Sequence, residues 1–300
     1  MNNQKAKSTW RGNHWINFFF VLFLIPSFGA YAQYESNAIV NFEKDFNYEK
    51  YNIKQRMPVS KCFLNEADMK YSKRVHSVID TRQKQNHELA WEKSSLPNLL
   101  WSNLMNGNLT GYSTDQMDES DQYFYPDSLK EFVCGYEIFQ ILDTINSTPN
   151  NPVFITVRRP RDFYPKEYPK FRIMEDWVFD YKRGVMEQRI IGIAFISKGW
   201  LAGGIQDERE FPVVWIKMEQ LRPILTNSEL FNKSNDAGRL SYDDFFQLRL
   251  FDSYVVKESN EWDQDINMFP EFRDNGVDAL LESERVKNDL FIFEHDLWEY

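Results

Sequence analysis

The sequence predicts an α+β fold, with an antiparallel β-hairpin or sheet in the C-terminal half packed with α-helices and a mainly helical part before it. Three observations carry this. Residues 173–180, 185–197 and 211–218 are rich in β-branched and aromatic side chains, and only Tyr181-Lys182-Arg183-Gly184 separates the first two runs. Helix start and stop signals bracket apolar periodicity near residues 95–107, from 241 and from 276. Five of the twelve prolines fall between 149 and 169, and this stretch divides a helical pattern from a strand pattern.

The elements run in order from the N-terminus. Lys5, Lys7 and Arg11 precede an apolar run, Trp15–Phe28, and then Ala30-Tyr31-Ala32. A basic n-region, a short apolar core and an A-x-A site predict a secretory signal over 1–32, cleaved after Ala32 so that Gln33 begins the mature chain. The run is shorter than the roughly 20 residues of a membrane-spanning helix, although an uncleaved anchor is the alternative. No cysteine follows the site, so no direct lipid anchor is expected, and the expected location is outside the cytoplasm. Without those three basic residues the net charge of −10 becomes −13. That is a poor starting point for nucleic-acid binding, which depends on neutralising phosphates.

Residues 33–65 read as an N-terminal arm, polar and aromatic without periodicity. Residues 66–148 read as mainly helical. Met69, Val75 and Ile79 suggest a helix over Glu66–Trp91, and Ser95, Pro97 and Gly107 bracket a second helix carrying Leu99, Leu100, Leu104 and Met105. Phe139, Leu142 and Ile145 suggest a third over Tyr136–Ile145. Residues 149–171 form a Pro-rich basic linker, with a short strand at Val153–Val157. Residues 172–300 form the α+β region: two strands joined by the tight turn, a loop at Gly199–Glu210, a third strand at Phe211–Met218, a helix from Ser241 and a last helix from Gly276 to Trp298. Asp243 and Asp244 suit the first turn of the Ser241 helix, which should carry Phe245, Leu248 and Tyr254 inward. The last helix should align Val277, Leu280, Leu281, Leu290, Phe293 and Leu297 along one side.

No reactive set emerges. His76, His87 and His295 lie in unrelated settings, and the sequence holds no H-E-x-x-H, G-x-S-x-G, P-loop or G-x-G-x-x-G pattern, so no metal, cofactor or catalytic residue is expected. Paired carboxylates at Glu175-Asp176, Asp243-Asp244 and Glu294 with Asp296 keep open an alternative, a periplasmic glycan-binding protein or hydrolase. Cys62 and Cys134 either pair in an oxidising compartment, closing a loop worth roughly 4 kcal/mol, or serve as two buried thiols. Arg158, Arg159 and Arg161 either balance the chain's own acidic surface or form a docking strip for an acidic partner. The aromatic tail with Trp298 and Tyr300 either returns to the core or contacts another subunit.

Three blocks carry a family resemblance: Glu175-Asp176-Trp177 with Phe179-Asp180, Arg183, Met186-Glu187 and Arg189-Ile190-Ile191-Gly192; Asp243-Asp244 with Phe246, Arg249 and Ser253-Tyr254 through Lys257-Glu258-Ser259-Asn260; and Asp278-Ala279-Leu280-Leu281-Glu282 through Phe293–Tyr300. Lys73-Arg74-Val75 with Ile79-Asp80 and Asn86 is a weaker echo. Together they resemble the GldN/PorN family over roughly residues 70–300. The segments Ser197–Pro223 and Thr81-Arg82-Gln83-Lys84 depart from its pattern. The resemblance implies a non-enzymatic periplasmic subunit of the type IX secretion and gliding machinery. Its implied partners are a GldK/PorK-like outer-membrane lipoprotein, other secretion subunits and further copies of itself in a ring. Trp177, Arg183, Trp298 and Tyr300 join the three arginines as candidate interface residues.

Overall fold

A seven-stranded antiparallel sheet frames the protein in the computed structural model, which describes residues 43–44, 49–50, 56–113, 115–117, 123–142, 154–201, 205–233, 235, 238–273 and 275–297. The expected signal segment, with Ala30, Ala32 and Gln33, lies outside the described residues, as do Trp298 and Tyr300. The chain divides into two units, Met1–Lys54 and Gln55–Tyr300. In the first, β1 (Glu43–Lys44) pairs with β2 (Glu49–Lys50). All other described strands and helices belong to the second.

The strands and helices of this second unit, in chain order, are β3 (Met69–Asp80), α1 (Leu96–Met105), β4 (Gly111–Tyr112), β5 (Tyr123–Phe124), α2 (Pro126–Cys134), β6 (Tyr136–Leu142), β7 (Phe154–Pro160), β8 (Lys170–Asp180), β9 (Val185–Leu201), β10 (Ile205–Lys217), α3 (Met218–Thr226), β11 (Glu229–Leu230), β12 (Leu240–Ser241), α4 (Tyr242–Gln247), β13 (Tyr254–Glu258) and α5 (Gly276–Asp296). The main sheet has the order β13-β3-β8-β9-β10-β4-β5, while β6-β7 and β11-β12 form separate two-stranded sheets.

The β8–β9 hairpin is built as its sequence suggests. The Asp180 carboxylate accepts from the backbone N–H groups of Lys182 and Arg183, and Gly184 takes φ +62°, a conformation that costs glycine little. Register then stacks apolar side chains across the sheet. Ile79, Phe171, Phe195 and Val214 stand side by side, and next to them Ser77, Ile173, Ile193 and Ile216. The helices α1, α2, α3 and α4 cover these rows with Leu96, Leu100, Leu104, Leu129, Val133, Leu221, Leu225, Phe245 and Phe246. A second cluster joins Val75, Trp177, Met186 and Val255 to Ala279, Val286 and Leu290 of α5. A third gathers Met117, Met174, Ala194 and Trp215.

The helix start at Ser95 and its stop near Gly107, the β8–β9 hairpin, the third strand, the Ser241 cap and the long terminal helix agree with expectation. The mainly helical reading of residues 66–148 does not. Met69–Asp80 is a strand between β13 and β8, with Val75, His76, Ser77, Val78 and Ile79 all buried. Over residues 75–79 both faces of the strand are covered, so no period of two shows there; His76 and Ser77 also break the apolar run, leaving only the helix-like spacing of Val75 and Ile79.

Tyr136–Leu142 is likewise a strand, and its partner Phe154–Pro160 extends the short strand expected at Val153–Val157, so that part of the expected linker belongs to a β-hairpin. Pro160 ends that two-stranded sheet, where a missing N–H costs little. The expected loop at 199–210 is mostly strand on either side of 202–204, and the short helix α3 and strand β13 gave no clear sequence signal. Leu248 points outward, 66% exposed, and Tyr254 begins a strand. On α5 the buried side carries Ala279, Ser283, Val286 and Leu290, whereas Val277, Leu280 and Leu281 are exposed. Small residues at 279 and 283 let the helix approach closely, which larger side chains there would prevent.

Candidate functional site

The motif residues find each other. Glu175 on β8 is buried, and Arg249, just after α4, donates to both its carboxylate oxygens at 2.9 and 3.0 Å. Arg249 holds φ +52°, in the left-handed region usually taken by glycine at a helix end, and that conformation accompanies the aim of its guanidinium at Glu175. The next residue, Asp176, receives Arg74 of β3 through Nε at 2.7 Å and Nη2 at 2.9 Å. At the hairpin turn Arg183 binds Asp180 at 2.5 Å and Glu187 at 2.7 Å, and the charged Arg183 side chain holds the Asp180 carboxyl below the usual range. The blocks at 73–75, 175–189 and 243–254 are therefore joined by bidentate arginine–carboxylate pairs across β3, β8 and the α4 end.

Of the other carboxylates considered for catalysis, Glu294 and Asp296 lie on α5, and Asp243 and Asp244 are engaged near the start of α4. Asp243 receives Arg222 at 3.0 and 3.2 Å, and Arg222 also donates to the Val59 carbonyl. Asp244 closes a capping box with Ser241. Among the described residues no group of three or more His, Cys, Asp or Glu is placed to hold a metal ion.

Of the three arginines read either as internal charge balance or as a docking strip, two are paired within their own fold. Arg158 pairs with Glu131 at 2.5 Å and lies over the Tyr136 ring at 3.4 Å. Arg161 reaches Glu137 at 3.5 Å and Glu167 at 3.2 Å. Arg159 is exposed and opposes Glu137 in the register. Trp177, expected at an interface, is buried beside α5, and its indole N–H has no hydrogen-bond partner among the described groups.

Cys62 and Cys134 are both free, so the structure corrects the pairing alternative. Cys134 lies in the core, where burial pushes its thiol up to about 11, while Cys62 is exposed. His76 is buried edge-on to Trp215, and burial, then Arg172, Lys257 and Arg74, drive its pKa down to about 2. The Asp115 carboxylate at 3.9 Å is too distant to offset them and lies nearer Lys257, at 3.7 Å.

What remains outward and apolar was not singled out in the sequence. On the β6–β7 hairpin, register puts Phe139 opposite Val157 and Ile141 opposite Ile155 on one face, and these four are 40–53% exposed. Ile138 and Phe154 are also exposed, and neither strand has a second neighbour among the described residues. The readable signal was the i, i+2 spacing of Phe139 and Ile141, which a helical reading hides. A strap before β3 exposes Met57, Val59 and Phe63, held from beneath by Arg222 on the Val59 carbonyl and Arg189 on the Cys62 carbonyl. A cleft of about 610 Å3 lies between the Thr81–Asn98 segment and Tyr164–Pro169; it is lined by Tyr164, Pro97, Pro165 and His87, with Glu92 as its one carboxylate.

No helix among the described residues is long and apolar enough to cross a membrane. Comparison with curated proteins returns no match. The family described as gliding motility associated protein GldN matches residues 64–299, a span that includes the first two motif blocks, the third as far as Glu299, and the Glu175–Arg249 and Asp176–Arg74 ion pairs. With nearly four-fifths of its length matched, the chain belongs to the GldN family of gliding motility associated proteins.

Proposed function

We propose that this chain is an exported, non-enzymatic structural subunit of the type IX protein secretion and gliding machinery. It works in the periplasm, docks on an outer-membrane lipoprotein of the GldK/PorK type and assembles with further copies into a ring. Family membership supports the gliding role. The observation that carries the docking role is the β6–β7 hairpin, which projects Phe139, Ile141, Ile155 and Val157 on one face, with no further strand paired to either edge among the described residues. A two-stranded hairpin is marginally stable alone in water, and an exposed apolar strand pair is a template for partner chains.

The test is isolation of the tagged chain from membranes, followed by identification of what accompanies it. The lipoprotein should co-purify with the native chain and be lost from a Phe139→Ser, Ile141→Ser variant whose thermal melt is unchanged. Co-purification indifferent to that change would remove the hairpin from the docking role. A solitary soluble monomer with hydrolytic turnover, abolished by changing Glu92 in the cleft, would remove the structural reading altogether.

A further inference from the structure

Helix α5 is apolar on two sides. At 3.6 residues per turn, Ala279, Val286 and Leu290 share the side that meets the sheet, and Val277, Leu280, Leu281, Phe291 and Ile292 share the opposite one. These five are 66, 52, 62, 63 and 54% exposed. They form two apolar patches, at 277–281 and 291–292, with the exposed polar Glu284 and Asn288 between them on the same side. Asn275 caps the helix by accepting from the Val277 N–H, so the stripe is helical from its first residue.

We infer that this outer stripe docks on the same stripe of a second copy of the chain, antiparallel, about a two-fold axis near Val286. A two-fold interface requires a surface complementary to itself reversed, and the apolar–polar–apolar order from Leu280 to Ile292 reads the same in either direction, with Val277 falling level with His295 of the other copy. Reversal about Val286 sets Leu281 beside Phe291 of the other copy and Leu280 beside Ile292. It also sets Glu284 level with Asn288 and beside Lys287 of the other copy, which gives one acid–base contact twice over. Lys287 is exposed and donates one hydrogen bond to the Ser253 carbonyl at 3.3 Å, which leaves its ammonium further donors. Arg285 is already paired with Glu282 and Asp289 of its own helix and flanks the contact.

Charge argues against a lipid surface as the occupant. The helix carries six acidic and two basic side chains, a net of −4, whereas helices that lie on anionic membranes are rich in Lys and Arg on their polar side. The five apolar side chains span about 22 Å of helix, toward the small end of stable interfaces. The contact is therefore expected to be a weak dimer whose population depends on concentration. It is isologous, and so separate from the heterologous contacts that would close a ring, and it stands or falls apart from the lipoprotein docking proposed above.

Sedimentation of the purified protein across concentration tests it. The native chain should pass from monomer to dimer. Leu281→Glu with Phe291→Glu, at exposed positions that leave the melt unchanged, should weaken the dimer at least about tenfold. Glu284→Lys alone and Lys287→Glu alone should each weaken it, and the two together should restore it, a readout that a merely structural role would not move. The inference is overturned by a monomer at every concentration, by a dimer indifferent to Leu281→Glu and Phe291→Glu, or by a double charge exchange that fails to restore association. It is equally overturned if the stripe acts only in flotation with phospholipid vesicles.

Discussion

Replacing Arg249 by Met probes the pair that joins two of the family blocks. The Glu175 side chain is 3% exposed and takes both its charged hydrogen bonds from Arg249 at 2.9 and 3.0 Å. Removing the guanidinium leaves a carboxylate in the core with neither water nor counter-charge. Loss of one partner of a buried pair costs about 3–5 kcal/mol. At about 2–4 °C per kcal/mol for a domain of this size, the melting temperature should fall by roughly 6–20 °C. Arg249→Met therefore belongs in a thermal-melt and urea series with Glu175→Met and the double variant. The double variant should recover most of the loss, because two buried charges replaced by apolar groups of similar volume are close to neutral. The reasoning fails if Arg249→Met lies within about 1 kcal/mol of the native protein, or if the double variant is as unstable as the single one.

Three further outcomes are expected from the structure. The pKa of His76 is driven from 6.5 to about 2, so its protonation favours the unfolded chain; stability should be intact above pH 6.5 and decline by up to about 1.4 kcal/mol per pH unit below it, and His76→Leu should flatten urea midpoints between pH 6.5 and 4.5. Carboxyls held low by arginine, such as Asp80 and Asp180, add their loss only below about pH 4, so the two windows separate. A Cβ at Gly192 would stand 2.5 Å from the Met117 methyl and 3.2 Å from the Ile216 carbonyl oxygen, so Gly192→Ala should cost about 1–3 kcal/mol in a urea titration, and Met117→Ala in the same chain should relieve part of it. Finally, a thiol reagent followed by mass spectrometry should label Cys62 in the native protein and Cys134 only on unfolding, and native protection of Cys62 would contradict its exposure.

The arginines at 158, 159 and 161 illustrate how far sequence carries. Their clustering is visible in the sequence, and so is the possibility that they balance the protein's own acids, but the partners Glu131 of Arg158 and Glu137 and Glu167 of Arg161 are assigned only once β6, β7 and α2 are in place. A charge reversal at all three would break internal pairs as well as any docking contact, so the apolar hairpin positions make the cleaner test. Trp177 shows the converse: a tryptophan in a motif suggests an anchor for partners, yet β8 is an inner strand and α5 covers the residue.

Local chemistry determined the α1 and Ser241 caps, the Asp180 turn with Gly184, the β8–β9 hairpin and the motif blocks, because each is settled by residues within a few positions of one another. Tertiary structure alone decided that residues 69–80 form an inner strand, that Glu175 meets Arg249, and which side of α5 faces the sheet. Those depend on contacts between segments as much as 185 residues apart, as between Arg74 and Ser259. Periodicity within a window cannot register such contacts, since a strand buried on both faces and a helix apolar on two sides both lose the simple alternation that marks an inside and an outside.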